Sequence, residues 1–118
     1  MLSVKNKGIL LQIILRCDRI GKVITNVDFA NFSKDMNLVE VVCFNLFQIG
    51  ELVNHLSIDI RNKYSKIPWH YIVAMRNRIV HGYDTIDIEI VWNTINSEIT
   101  SLSDYCKKII EIEDNIRV

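Results

Sequence analysis

Positions 75 to 84 read Met-Arg-Asn-Arg-Ile-Val-His-Gly-Tyr-Asp. A guanidinium (Arg76), a carboxamide (Asn77), an imidazole (His81) and a phenol (Tyr83) therefore stand within one short run. Guanidinium forks grip carboxylates and phosphates, and imidazole moves protons near neutral pH. On helical spacing Trp69, Ile72, Ile79 and Tyr83 form one apolar line, with Arg76 in its middle. A charge in such a stripe is costly unless paired. Arg76 is thus expected to meet an anion, either the carboxylate of Glu51 or a phosphate brought by a substrate. A carboxylate that holds it would still leave donors for a phosphate. His70, Ala74, Asn77 and His81 form a second, more polar line. Arg76 and His81 lie five residues apart, roughly 140° around a straight helix. Either the helix ends near Gly82 and swings His81 round, or a second copy of the chain completes the site.

Each side chain has a plainer reading as well. His81 could bind terminal carbonyls at a helix end, or act in proton transfer, since free imidazole titrates near ~6.5. Asn77 either orients His81 one turn on or bonds backbone. Tyr83 by itself is an ordinary core-edge tyrosine. His55 and His70 read as boundary residues, Trp69 and Trp92 as core. Phe44 and Phe47 read as bundle packing rather than a base-stacking platform.

Arg76-Asn77 followed by His81-x-Tyr83 resembles the R-N-x-x-x-H-x-Y signature of HepT-like proteins in the HEPN superfamily. The likeness extends to Gln48-Ile49-Gly50-Glu51, to Ile67-Pro68-Trp69, and to Ile86-Asp87 with Val91-Trp92, roughly residues 40 to 95. Members are small helical toxins encoded beside a minimal nucleotidyltransferase antitoxin. The resemblance implies a metal-independent endoribonuclease without cofactor, acting on tRNA or mRNA, in which the RNA's 2′-hydroxyl attacks the adjacent phosphorus. It implies Arg76 and His81 as the catalytic pair, Asn77 and Glu51 as support, and Lys66, His70 and Arg78 as candidate RNA contacts. It also implies silencing by AMPylation of Tyr83, and a homodimer that assembles further with the antitoxin. Two alternatives stand beside it. One is a non-catalytic nucleotide-binding or partner-binding subunit of a nucleotidyltransferase, for which an intact His81 is unnecessary. The other is a plain helical dimer with no active site.

The 118 residues suit one domain, 1–118, with 14 Lys and Arg balancing 14 Asp and Glu. The distribution is uneven. Residues 60 to 83 hold Arg61, Lys63, Lys66, Arg76 and Arg78 with no acid, whereas residues 84 to 118 hold eight acids against three bases. Such a patch attracts phosphates locally, or is simply one of two oppositely charged solvated faces. No run reaches the ~18 uninterrupted apolar residues of a membrane span. Three widely spaced cysteines (Cys17, Cys43, Cys106) without a C-x-x-C pair predict reduced core thiols and a cytoplasmic setting. No metal-spaced cluster is visible in the sequence.

The elements that must position these groups are helical. Apolar periodicity predicts a helix from about Ser3 to Ile24, then a turn from which Phe29 and Phe32 plug the bundle end. A second helix, capped by Asp35 or Asn37, runs to about Leu56 and is apolar on most sides, as a central or interface helix is. A short helix follows Ser57. Pro68 opens the motif helix, and Asp87 caps a last helix from Ile88 to Ile109. The expected fold is all-α, an up-and-down four-helix bundle with short extra helices.

Overall fold

The computed structural model describes residues 1–115, with Tyr83 represented by its backbone alone. The Tyr83 side chain, on which the AMPylation expectation falls, and residues 116–118 lie outside the described residues.

The fold is an all-α, up-and-down bundle with short extra helices. In chain order the helices are α1 (Val4–Val23), α2 (Phe29–Lys34), α3 (Met36–His55), α4 (Ile58–Lys63), α5 (Trp69–Gly82), α6 (Ile88–Asn96) and α7 (Glu98–Asp114). A 3-10 turn over Tyr83–Thr85 joins α5 to α6. Short polar side chains start most of them by accepting an otherwise orphaned amide. Ser3 caps α1, Asp28 α2, Asp35 α3, Ser57 α4 and Asp87 α6. Asn37 is simply part of α3. The side chain of Asn6 donates to Ser57 Oγ at 3.0 Å and accepts from the Ser57 amide at 3.2 Å, tying the start of α1 to that of α4.

Helix α3 occupies the middle. It packs on α1 and on α5, while α1 also packs on α7. Val39, Val42, Cys43, Leu46, Ile49 and Val53 are buried along it. Among the described residues it is also the one helix long and apolar enough to cross a membrane, with a hydropathy of 1.4. Its place between two neighbours accounts for that composition. The apolar set is not wholly covered, however. Phe44, expected in the bundle, is 54 % exposed, and the Arg16 guanidinium lies 5.6 Å from its ring.

The last helix departs from expectation. It breaks at Ser97 (φ −115°, ψ −75°), separating α6 from α7. Polar side chains around the break take helix carbonyls for themselves. Ser97 Oγ donates to Asn93 O at 2.7 Å, Asn96 Nδ2 to Trp92 O at 2.9 Å and Thr100 Oγ1 to Ile95 O at 3.2 Å. Val91, Ile95, Ile99, Leu102, Cys106 and Ile109 stay buried on both sides of it, so the apolar rhythm carries no trace of the break.

The expected turn at Phe29 and Phe32 is instead the short helix α2. Phe32 is fully buried, and its ring lies 4.9 Å from that of Trp92. Phe29 reaches the same indole at 6.2 Å. Trp92 is consequently only half-buried, at the end of the bundle rather than in its core.

Candidate active site

Helix α5 starts directly after Pro68, whose carbonyl accepts from the Ile72 amide at 3.3 Å. Trp69, Ile72, Met75 and Ile79 are buried on one face, and Arg76 lies at the shoulder of that face with 26 % of its side chain exposed. Glu51 of α3 does meet it. Arg76 Nε donates to Glu51 Oε1 at 2.5 Å, and Nη1 donates to Asn77 Oδ1 at 2.9 Å. The guanidinium carbon lies 5.4 Å from the Phe47 ring centroid, within cation–π range. Among the described residues Nη2 has no protein acceptor. One edge and one face of the guanidinium are therefore held, and donors remain for an incoming anion.

The Asn77 carboxamide oxygen accepts from Arg76, and among the described residues the side chain makes no bond to His81 or to the backbone. Gly50 and Phe47 also belong to this cluster, and their part in it was not apparent from the sequence. A Cβ at Gly50 would stand 2.2 Å from Arg76 Cβ and 2.8 Å from Cγ. Glycine within the apolar run of α3 was the available signal, since such a residue usually marks a close approach.

His81 is exposed in the last turn of α5. It lines a cleft of about 380 Å³ together with Arg78, Gly82, Thr85, Ile86 and Asp87. Arg76 is not among the residues lining that cleft. His81 remains helical, so the helix end does not swing it toward Arg76 within one chain. Gly82 adopts an extended φ of −164°. Its lack of a side chain instead leaves room for Thr85 Oγ1, which would be 2.5 Å from a Cβ there and donates to Gly82 O at 3.1 Å.

The basic run of residues 60 to 83 divides in the fold. Lys63 Nζ is bonded to buried Glu113 at 2.7 Å, on the α7 side. Lys66, His70 and Arg78 are exposed. A larger cleft of about 740 Å³ lies between α1 and α7. Its charges are of both signs (Asp18, Arg19, Lys22, Asp104, Lys107) and it contains no histidine, the side chain suited to proton transfer near neutral pH. Among the described residues no three His, Cys, Asp or Glu side chains gather as a metal site would require.

Residues 13–109 match the family described as Ribonuclease HepT-like. The chain belongs to this family. The match extends well beyond residues 40 to 95, to which the motif resemblance was confined. Among its HepT-like relatives is a protein of Caldanaerobacter subterraneus subsp. tengcongensis named "Putative RNase TTE0752", 34 % identical, covering 86 % of this chain and 91 % of the relative. A Methanocaldococcus jannaschii protein, "Putative RNase MJ0125", is 31 % identical over 89 % of this chain and 90 % of its own. "Probable ribonuclease HepT" of Thermococcus cleftensis is 26 % identical over 88 % and 94 %. No solved structure matches the HepT-like chain.

Proposed function

We propose that this HepT-like protein is the toxin of a toxin–antitoxin pair, an endoribonuclease that cuts RNA without a metal. The RNA's 2′-oxygen forms the new bond to phosphorus while the bond from phosphorus to the 5′-oxygen breaks. The products are a 2′,3′-cyclic phosphate and a 5′-hydroxyl. The attacking 2′-hydroxyl gives up its proton to solvent water, and His81 supplies the proton that the leaving 5′-oxygen takes up. Arg76 stabilises the charge that builds on the non-bridging oxygens, where fixed donors act most strongly. The observation that carries this reading is the guanidinium held by Glu51 and Asn77 with donors to spare. The family and the names of the relatives support the RNase class.

In this reading the site is shared between two copies, Arg76 acting from one protomer and His81 from the other. Two features favour that arrangement. Arg76 is outside the His81 cleft of its own chain, and α3 leaves Val41 and Phe44 exposed at 44 % and 54 %. A minimal nucleotidyltransferase is the antitoxin, and it silences the toxin by AMPylating Tyr83, two residues beyond His81.

The test is cleavage of RNA by the purified protein in EDTA. Activity should persist there and vanish when the substrate carries 2′-deoxyribose at the cut position, which removes the attacking hydroxyl. Full activity of folded His81→Ala would end the role given to His81, whereas a folded wild type that cuts no RNA would leave a nucleotide-binding or partner-binding module.

A further inference from the structure

A pocket of about 390 Å³ opens where the α4–α5 connection meets α7, at the opposite end of α5 from His81. Its base is apolar: Ile67 and Ile109 are buried there and Ile112 is half exposed. Tyr64 and Tyr105 also line it, with Lys63, Lys66 and Lys108 around them, and no carboxylate is among its lining residues. The buried acid nearby, Glu113, is occupied by Lys63 at 2.7 Å and by the Tyr64 hydroxyl at 2.5 Å. On α7, Asp104 and Glu111 lie one turn either side of Lys108, so an anion is better placed on the Lys66 side. Apolar floor, aromatic side chains and an ammonium at the lip suit a flat base with its phosphate attached.

A second observation is the surface that leads there. His70, Ala74, Asn77 and His81 are all exposed and follow one another in steps of four, three and four along α5, with exposed Arg78 beside them. His70, where this line starts, follows the pocket residues Lys66 and Ile67 by four and three positions in the chain, and His81, where it ends, lines the other cleft. No Asp or Glu occurs between residues 60 and 83. Helical rise makes the separation about 20 Å, a length of backbone that a single strand covers in a few nucleotides.

We propose that this pocket is a second subsite for the RNA strand, seating one base against Tyr105 with its phosphate on Lys66, remote from the bond that is cut. The inference rests on the ribonuclease reading. It makes substrate recognition depend on strand length, because fragments too short to span α5 lose the distal base.

Fluorescein-labelled 2′-O-methyl RNA, whose attacking hydroxyl is blocked, reads binding to the full chain without cleavage. The double substitution Lys66→Ala and Tyr105→Ala, both at exposed positions, should weaken binding of a strand of about twelve nucleotides by about tenfold or more. The same strand carrying 5-iodouridine should photo-crosslink to the peptide containing Tyr105 in the wild-type protein. If the wild type cuts RNA but the double variant binds the strand equally well, the subsite is wrong and the ribonuclease reading stands. If the wild type neither binds nor cuts RNA, both fall. Displacement of the strand by micromolar uridine monophosphate would make the pocket a free-nucleotide site and also overturn the proposal.

Discussion

Gly50 and Arg76 approach so closely that position 50 has no room for a side chain: a Cβ there would lie 2.2 Å from Arg76 Cβ. The stem of Arg76 therefore rests directly on the backbone of α3, one residue before the glutamate that holds its guanidinium. Gly50→Ala should push α5 away from α3. Two opposing effects arise, since alanine favours the helix by up to about 1 kcal/mol and overpacking costs about 1–3 kcal/mol. With a clash against a side-chain stem one bond from the backbone, overpacking should dominate. Thermal melting should show a net loss of stability, and RNA cleavage should fall further than the stability loss accounts for.

Glu51→Gln is the milder perturbation. The Arg76–Glu51 pair is about a third exposed at the acid, 34 %, and solvent screens it. Its loss should cost no more than about 1 kcal/mol of stability. Cleavage should fall by about tenfold or more, because the guanidinium loses its fixed direction. Unchanged kcat with unchanged stability would show that Glu51 does not position Arg76.

Much of this arrangement was legible in the sequence because the motif and the apolar rhythm both sit on helix geometry. The 3.6-residue period located α1, α3 and α5, and Asp35, Ser57 and Asp87 marked the starts of α3, α4 and α6 as caps. The break at Ser97 was not legible, since buried residues keep their spacing across it and only side-chain-to-carbonyl bonds reveal it. The partner of Asn77 was equally hidden, for adjacent helical residues do not normally face each other. Gly50 stood in the quoted run, but which side chain lay over it depended on how α5 crosses α3.

Glu113 should give the fold a measurable pH dependence. It is 3 % exposed, and the hydrogen bonds from Lys63 and then Tyr64 hold its carboxyl below the usual range. A depressed carboxylate contributes stability above its unfolded value, about 4.3, and the contribution is lost as pH falls through the lower folded value. Burial first, then Glu113, pushes the Tyr64 hydroxyl up to about 12. That contribution is complete below about 10, the unfolded value, and disappears as pH rises through the folded one. Urea titrations should find Glu113→Gln less stable by about 1–3 kcal/mol at neutral pH. The gap to wild type should narrow at both extremes. A constant gap from acid to alkali would contradict the assignment.

The three thiols should be inert in the native state. Burial pushes Cys17 up to about 12 and Cys43 to about 11, and raises Cys106 further still. Thiolate is the reactive form. Iodoacetamide at mildly alkaline pH should leave the folded protein at its unmodified mass. In urea it should add three carbamidomethyl groups. Rapid labelling of any cysteine in the folded chain would show that the α1–α3–α7 core opens readily.

If a ribonuclease site joins Arg76 of one copy to His81 of another, mixing two dead variants should rebuild it. Arg76→Ala and His81→Ala should each lose about 10²-fold or more of RNA cleavage as homodimers. When the two are unfolded together and refolded as a mixture, half of the dimers should be mixed. Each mixed dimer should carry one intact site and one doubly damaged site. Activity should therefore return to about a quarter of the wild-type value. A refolded, dimeric mixture as inactive as either parent would contradict the shared site.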